Sequence, residues 1–388
     1  MVRLGIESIL ESRPSLLSDD RLGLITNPSG VDSELRTTID LLHDRDEFDL
    51  RKLFGPEHGI RGSEQAGVEV EDSIDEKTGL PVKSLYGEEK HLRPAMLDDI
   101  DTVVYDMQDI GCRFYTLIYT LAYALEGVAA ADKRMVVLDR PNPIAPLSPA
   151  GNRVSEAHSS FVGNYRLPIV HGMTVGELAD YFNEEFGIGA DLDVVELDDW
   201  SRDVWYDATE LPWVYPSPNM PTLRTATVYP GTCFFEGTTL SEGRGTTKPF
   251  ELVGAPWIDA EEWSESLNGE PLPGVGFRPA YFTPMFSKHE REAIEGVQVH
   301  VLDREAFEPV RVGLTMLISA FNTYPECDWI EYDDGHFVDK LAGGPYLRKT
   351  IDEAAPSNGA REIADGIIDR WDDELASFRD TRERYLRY

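Results

Sequence analysis

The sequence predicts an α/β protein whose first half is built on a parallel sheet, and two observations carry that prediction. From Arg21 to about Trp200, short apolar runs alternate with helical patterns. This is the rhythm of right-handed strand–helix–strand units, whose sheet is covered on both faces. After Trp200 the texture changes: Trp213 to Phe250 is rich in Pro, Gly, Thr and aromatic residues and shows little helical period. A boundary near residue 210 follows, giving expected domains 1–210 and 211–388, and 388 residues are enough for two.

Each element has its own signal. RLGLITN (Arg21 to Asn27) reads as a buried strand stopped by the Asn27-Pro28-Ser29-Gly30 turn. A helix over Thr37 to Leu42 follows, then FDLRKLFG as a second strand, PVKSLYG as a third and IDTVVYDMQ as a fourth. A long helix is expected from Phe114 to Ala131, and RMVVLDRPNP supplies a fifth strand stopped by Pro141 and Pro143. Thr174 caps the next helix, with Glu177 as its capping-box partner, and DLDVVELDDW is another strand. Trp213 to Phe250 is expected to be a long ordered loop, a class of segment that is usually functional. A strand in GVQVHVLD, a helix from Pro309 to Phe321 and an acidic helix near the C-terminus complete the reading.

Composition excludes whole classes of function. Lys plus Arg total 36 against 71 Asp plus Glu, a formal charge of −35. Clustered cations for phosphate contacts are therefore lacking, which argues against a nucleic-acid partner and against docking on an anionic membrane. Hydrophobic residues at 41% still permit a sizeable core, so the acid excess belongs to the surface. Spread along the chain, with Arg outnumbering Lys, it suits a protein made for a concentrated-salt cytosol. The three cysteines contain no C-x-x-C, which favours a reducing compartment. Glu7 and Glu11 interrupt any signal-peptide core, and no run approaches the roughly 18 apolar residues of a membrane span, so a cytoplasmic location is expected.

In open α/β sheets, ligands bind beyond the carboxyl ends of the strands. Three polar clusters fall there. FGPEHGIRG holds Glu57, His58 and Arg61; YDMQDIGCRFYT holds Asp106, Gln108, Asp109, Arg113 and Tyr115; LDRPNP holds Asp139, Arg140 and Asn142. A fourth, SPNMPT with the following FEGTTLSEGRGTTKPFE, contributes Asn219, Glu236, Glu242 and Arg244. G-x-G-x-x-G, the P-loop pattern, G-x-S-x-G and H-E-x-x-H are absent, and no His/Asp/Glu group has metal spacing, so no cofactor or metal is expected. Carboxylates with Arg, His, Asn and aromatics remain, the equipment of sugar chemistry. One carboxylic acid protonates a glycosidic oxygen, and a second carboxylate attacks or activates water.

FGPEHGIRG, TGLPVKSLYG, DMQDIGCRFYT, VLDRPNP, HGMTVGELA, SPNMPT, FEGTTLSEGRGTTKPFE and GAPW occur here in an order that resembles the exo-β-N-acetylmuramidases of the NamZ type. The resemblance runs from about Gly23 to beyond Asp303. It implies a Rossmann-like N-terminal catalytic domain without a dinucleotide, a smaller α+β C-terminal domain and an active site in the cleft between them. It also implies hydrolysis of terminal, non-reducing β-1,4-linked N-acetylmuramic acid, or a related acidic amino sugar, from peptidoglycan fragments. Carried over by motif, Glu57 is the expected general acid/base and Glu126, in YALEG, the second carboxylate, with Asp106, Asp109 and Glu242 as substitutes. Muramic acid carries a lactyl carboxylate, whose selection calls for an arginine among Arg61, Arg113 and Arg244. A non-catalytic carbohydrate-binding protein using the same cleft is the alternative.

Overall fold

The computed structural model describes residues 1–57, 59–62, 72–87, 90–354 and 359–388. The N-terminal part contains α1 (Gly5–Ser12), β1 (Arg21–Thr26), α2 (Thr38–His43), β2 (Asp49–Gly55), β3 (Ser73–Ile74), β4 (Pro81–Ser84), β5 (Thr102–Asp106), α3 (Leu117–Ala130), β6 (Arg134–Leu138), β7 (Ala150–Arg153), β8 (Pro168–Val170), α4 (Val175–Glu185) and β9 (Asp191–Val195). Its main sheet has seven strands in the order β3-β4-β2-β1-β5-β6-β9. All neighbours are parallel except β3, which runs antiparallel to β4 at the edge. Without β3, this is the doubly wound order of a dinucleotide-binding sheet, with β1 at the switch point between β2 and β5.

Burial on both faces shows in the alternation of strand side chains. Leu22 and Leu24 of β1, Val104 of β5 and Val136 and Leu138 of β6 join one apolar cluster. Ile25, Val103, Tyr105, Met135 and Val137 join the other, as a side-chain period of two requires. Thr174 and Glu177 form the expected capping box: Thr174 N–H donates to Glu177 Oε2 at 2.9 Å and Glu177 N–H to Thr174 Oγ1 at 3.3 Å.

The C-terminal part contains α5 (Leu223–Thr232), β10 (Leu252–Ala255), α6 (Ala260–Gly269), β11 (Val275–Phe282), β12 (Ile294–Val301), α7 (Pro309–Thr323), β13 (Glu331–Tyr332), β14 (Gly335–His336), α8 (Phe337–Leu341), α9 (Tyr346–Glu353) and α10 (Ala360–Arg382). Its sheet is antiparallel in the order β10-β12-β11. The larger apolar cluster crosses from one part to the other, joining Phe54 and Tyr119 to Phe234, Trp263 and Phe378.

Two expectations need correction. The segment Trp213 to Phe250 is not all loop, because α5 and a 3-10 turn at Cys233–Gly237 lie within it. Thr222 caps α5, accepting from Thr225 N–H at 3.2 Å. Its Pro230 and Gly231 look like breakers, yet Gly231 is where α7 crosses. A Cβ there would stand 1.9 Å from Pro309 O, and one on Gly313 would stand 2.3 Å from the Gly231 backbone. The glycines serve close helix packing. The second correction is smaller: α3 starts at Leu117, not Phe114, because Cys112 to Thr116 form the turn that enters it.

Candidate active site

Glu57 follows β2 by two residues, at the carboxyl edge beside the switch point. Thr116, at the cap position of α3, makes no side-chain cap; its hydroxyl donates instead to Glu57 Oε2 at 2.8 Å. The Tyr86 hydroxyl bonds the same carboxylate, and burial, reinforced by the Glu57 charge, pushes that phenol above its ordinary pKa. Tyr115 lies within the electrostatic reach of Asp109, Glu57 and Arg244, and burial raises its phenol strongly. Its hydroxyl is buried and has no hydrogen-bond partner among the described residues.

The C-terminal part brings an arginine to this edge. Arg244 Nη2 lies 2.6 Å from Glu236 Oε1, and Nε lies 3.4 Å from Glu242 Oε1. Lys288 Nζ lies 2.8 Å from Glu242 Oε2. Burial opposes charge on Glu242, but Lys288 and Arg244 outweigh it and hold the carboxyl below its usual range. Glu242 is thus a fixed anion that anchors two cations. Arg244 sits over Phe250 at 5.1 Å, and Phe250 meets Tyr229 edge-on at 4.6 Å; Tyr229 in turn packs edge-on against Tyr115 at 6.4 Å. This aromatic chain joins Arg244 to the Glu57 side.

Several expected site residues turn inward. Asp106 is clamped by Arg140, with Nε to Oδ1 at 2.5 Å and Nη2 to Oδ2 at 2.9 Å, and accepts from Thr38 as well. Burial disfavours the Arg140 charge, yet Asp106 more than offsets this and raises its pKa. Arg113 is completely buried and donates to backbone carbonyls, including Leu167 O at 3.0 Å and Leu341 O at 2.6 Å, so it bolts the two parts together. Burial without a carboxylate partner pulls its pKa down to about 10. Asn142 bridges Met173 O and Ile144 N–H. The Gln108 amide donates to Asp109 O and Pro141 O, both at 2.7 Å.

Asp109 remains partly unengaged. Its Oδ2 accepts from Gly111 N–H at 2.7 Å and lies 3.2 Å from His171 Nε2, whereas its Oδ1 has no partner among the described residues. Met173 N–H donates to His171 Nδ1, which assigns the ring proton to the nitrogen facing Asp109. Asn219, in the SPNMPT turn, also has an unpartnered Nδ2. That turn reaches the sheet edge through Asn27, whose Nδ2 donates to Pro216 O at 3.1 Å. Unsatisfied buried polar atoms are rare in folded chains. Those of Gln108, Asp109 and Tyr115 fall on the segment between β5 and α3, and that of Asn219 in the SPNMPT turn.

Two expected residues engage other partners. Glu126 stands ten positions along α3 from Thr116, about 15 Å of helix rise from the end that meets Glu57. Glu126 accepts from Tyr165 at 2.7 Å and lies 3.5 Å from His91 Nδ1. Arg61 is clasped side-on by Asp75, both contacts at 3.0 Å. His58 is outside the described residues. Tyr86, Thr116, His171 and Lys288 were not anticipated; the first three lie inside quoted motifs, while Lys288 carries no sequence signal. Among the described residues no group of three or more His, Cys, Asp or Glu is placed to hold a metal ion.

The fold and this edge define a two-part α/β protein of the glycoside hydrolase kind, with carboxylates at a sheet switch point facing an arginine from a second part. The family described as Exo-beta-N-acetylmuramidase NamZ matches through its N-terminal domain over residues 22–224 and through its C-terminal domain over residues 227–388. The chain belongs to that family. It is 48% identical over 387 residues to the peptidoglycan beta-N-acetylmuramidase NamZ of Bacillus subtilis strain 168, covering 100% of this chain and 91% of that protein. Two crystal structures of DUF1343 family proteins from Bacteroides fragilis superpose with TM-scores of 0.90 and 0.76, at 36% and 28% identity. Each match covers 100% of this chain and 99% of the other.

Proposed function

We propose that this chain is an exo-acting glycoside hydrolase that releases β-1,4-linked N-acetylmuramic acid from the non-reducing end of peptidoglycan fragments, with Glu57 as its general acid. The observation that carries the reading is the setting of Glu57: it sits at the switch point, bonded by Thr116 and Tyr86, within one electrostatic neighbourhood of Tyr115 and Arg244. Membership of the muramidase family supplies the substrate class. In this reading Glu57 donates its proton to the glycosidic oxygen as the bond to the anomeric carbon breaks, and positive charge develops on the sugar ring. Asp109 takes the second carboxylate role in preference to Glu126, because its Oδ1 is unengaged beside Tyr115 whereas Glu126 stands ten positions along α3 from Thr116 and is engaged by Tyr165.

Arg244 is the cation for the lactyl carboxylate. Arg113 is completely buried with Nη1 and Nη2 on carbonyls, and Arg61 is held side-on by the Asp75 carboxylate. Arg244 has Nε and Nη2 held by Glu236 and Glu242, which leaves Nη1 for a ligand. We place the protein in a concentrated-salt cytosol on the strength of its −35 charge.

The test pairs chromogenic β-N-acetylmuramide and β-N-acetylglucosaminide in molar KCl. Glu57→Gln is expected to lose about 10²–10⁴-fold in kcat on the muramide while still binding it. Arg244→Gln is expected to shrink the preference for muramide over glucosaminide. Wild-type binding of the muramide without turnover would replace the hydrolase with a carbohydrate-binding protein.

A further inference from the structure

An aromatic strip leads away from Glu57 toward solvent. Tyr86, which bonds Glu57, packs against Phe161 with ring centroids 6.1 Å apart. Phe161 lies 6.0 Å from Tyr123 at an interplanar angle of 24°, and His91 stacks on Tyr123 at 4.2 Å. Buried Tyr119 and Tyr165 back the strip and stack on one another at 6.4 Å. Tyr86, Phe161 and Tyr123 are each half-buried, and the His91 side chain at the far end is 54% exposed. Half-buried rings that end at an exposed side chain, next to a catalytic candidate, suit contact with a sugar ligand.

Charge points to the same surface. Lys90 Nζ lies 5.3 Å from the Phe161 centroid and 5.8 Å from that of Tyr86, with a hydrogen bond to Gly87 O. Among the described residues no carboxylate comes within ion-pairing distance of it, in a chain with 71 acidic residues. Glu126, with Tyr165 on its Oε1, stands at the outer end of the strip.

Building on the hydrolase reading, we propose that Tyr86, Phe161, Tyr123 and His91 form the aglycone-side subsite, where the sugars beyond the scissile bond lie along the rings. Lys90 meets a carboxylate on that part of the glycan, and Glu126 accepts from its hydroxyls. An exo-acting enzyme encloses only the terminal sugar, so the remainder of the glycan must leave the pocket over some surface. This strip starts at the proposed acid and ends at an exposed side chain. Glu126 is thereby a binding residue and not the second carboxylate of the reaction.

The test compares two substrates, a chromogenic β-N-acetylmuramide with no following sugar and a peptide-free muramyl–glucosaminyl oligosaccharide. Phe161→Leu is expected to lower the ratio of kcat/KM for the oligosaccharide to that for the muramide at least tenfold, mainly through KM. Phe161→Tyr should restore it, with melting temperature followed throughout. Glu126→Gln should lower the same ratio by a smaller factor. Direct binding of the oligosaccharide to Glu57→Gln, alone and combined with Phe161→Leu, separates the two readings. If wild type hydrolyses neither substrate but Phe161→Leu still weakens binding tenfold, the hydrolase fails and the subsite stands. An unchanged ratio with unchanged binding, or equal losses on both substrates, would overturn the subsite. Loss of all turnover in Glu126→Gln would return that residue to the chemistry.

Discussion

Asp139 shows how much one carboxylate at a strand end does. Its Oδ2 accepts from Thr174 and Tyr388, both at 2.8 Å, and its Oδ1 from the N–H groups of Arg140 at 2.9 Å and Gly176 at 2.8 Å. It therefore fastens β6, the start of α4 and the last residue of the chain. Burial raises its pKa to about 6, and the hydrogen bonds only partly offset that. A raised carboxyl pKa means that the native state binds the proton more tightly than the unfolded state. The contribution of the group to stability is thus greatest at low pH and falls as pH climbs from about 4 to about 6. Asp139→Asn does not titrate. The stability gap between wild type and Asp139→Asn should therefore widen by about 1 kcal/mol as pH drops from 7 to 5. Paired melting curves at the two pH values measure it; a gap that narrows would contradict the burial argument. The same residue explains a limit of reading residues by type. Asp106, Arg113 and Asn142 have the chemistry of a sugar site, and the sequence places them at the right edge. Whether each points into the cleft or under it depends on partners such as Thr38, Leu341 and Met173, which are distant in the chain.

At the scale of elements, strands were legible and helix packing was not. RLGLIT and TVVYD read as strands because an interior sheet demands apolar residues on both faces, and they pair in register as Leu22↔Thr102 through Thr26↔Asp106. The same apolar alternation placed Glu57 beyond the second strand, at the edge where it stands. α5 was hidden because its Pro230 and Gly231 look like loop residues, while the reason for Gly231 is α7, some 80 positions further on. That contact makes a prediction. A methyl group at residue 313 would stand 2.3 Å from the Gly231 backbone, and overpacking of this kind costs about 1–3 kcal/mol. Gly313→Ala should lower the urea midpoint accordingly without changing the slope. Because α5 leads directly into the turn that precedes Arg244, kcat/KM on the muramide should fall as well. A variant as stable as wild type would mean that the two helices separate freely.

The whole molecule couples a closed architecture to an extreme surface charge. α10 carries the chain back to the N-terminal part, where Arg387 pairs with Asp180 at 2.8 Å and Glu196 at 2.6 Å and the Tyr388 hydroxyl reaches Asp139. Folding thus concentrates a net charge of −35 on one compact surface, and repulsion among those acids opposes the native state. Screening shortens from about 10 Å at 0.1 M salt to about 3 Å at 1 M. Added KCl therefore weakens acid–acid repulsion across the whole surface. It also weakens exposed pairs such as Arg21–Asp101 and Arg51–Asp49, but each of these is worth only about 0–1 kcal/mol. The buried Arg140–Asp106 clamp, with side chains 3% and 1% exposed, is screened much less. The repulsive sum is the larger quantity at a twofold excess of acids, so the melting temperature should rise steadily between 0.1 and 2 M KCl. Converting a patch of surface Glu to Gln, at positions without ion pairs, should flatten that rise and lift the low-salt value. A melting temperature that falls with KCl would show that the ion pairs outweigh the repulsion, and would remove the charge-based case for a concentrated-salt interior.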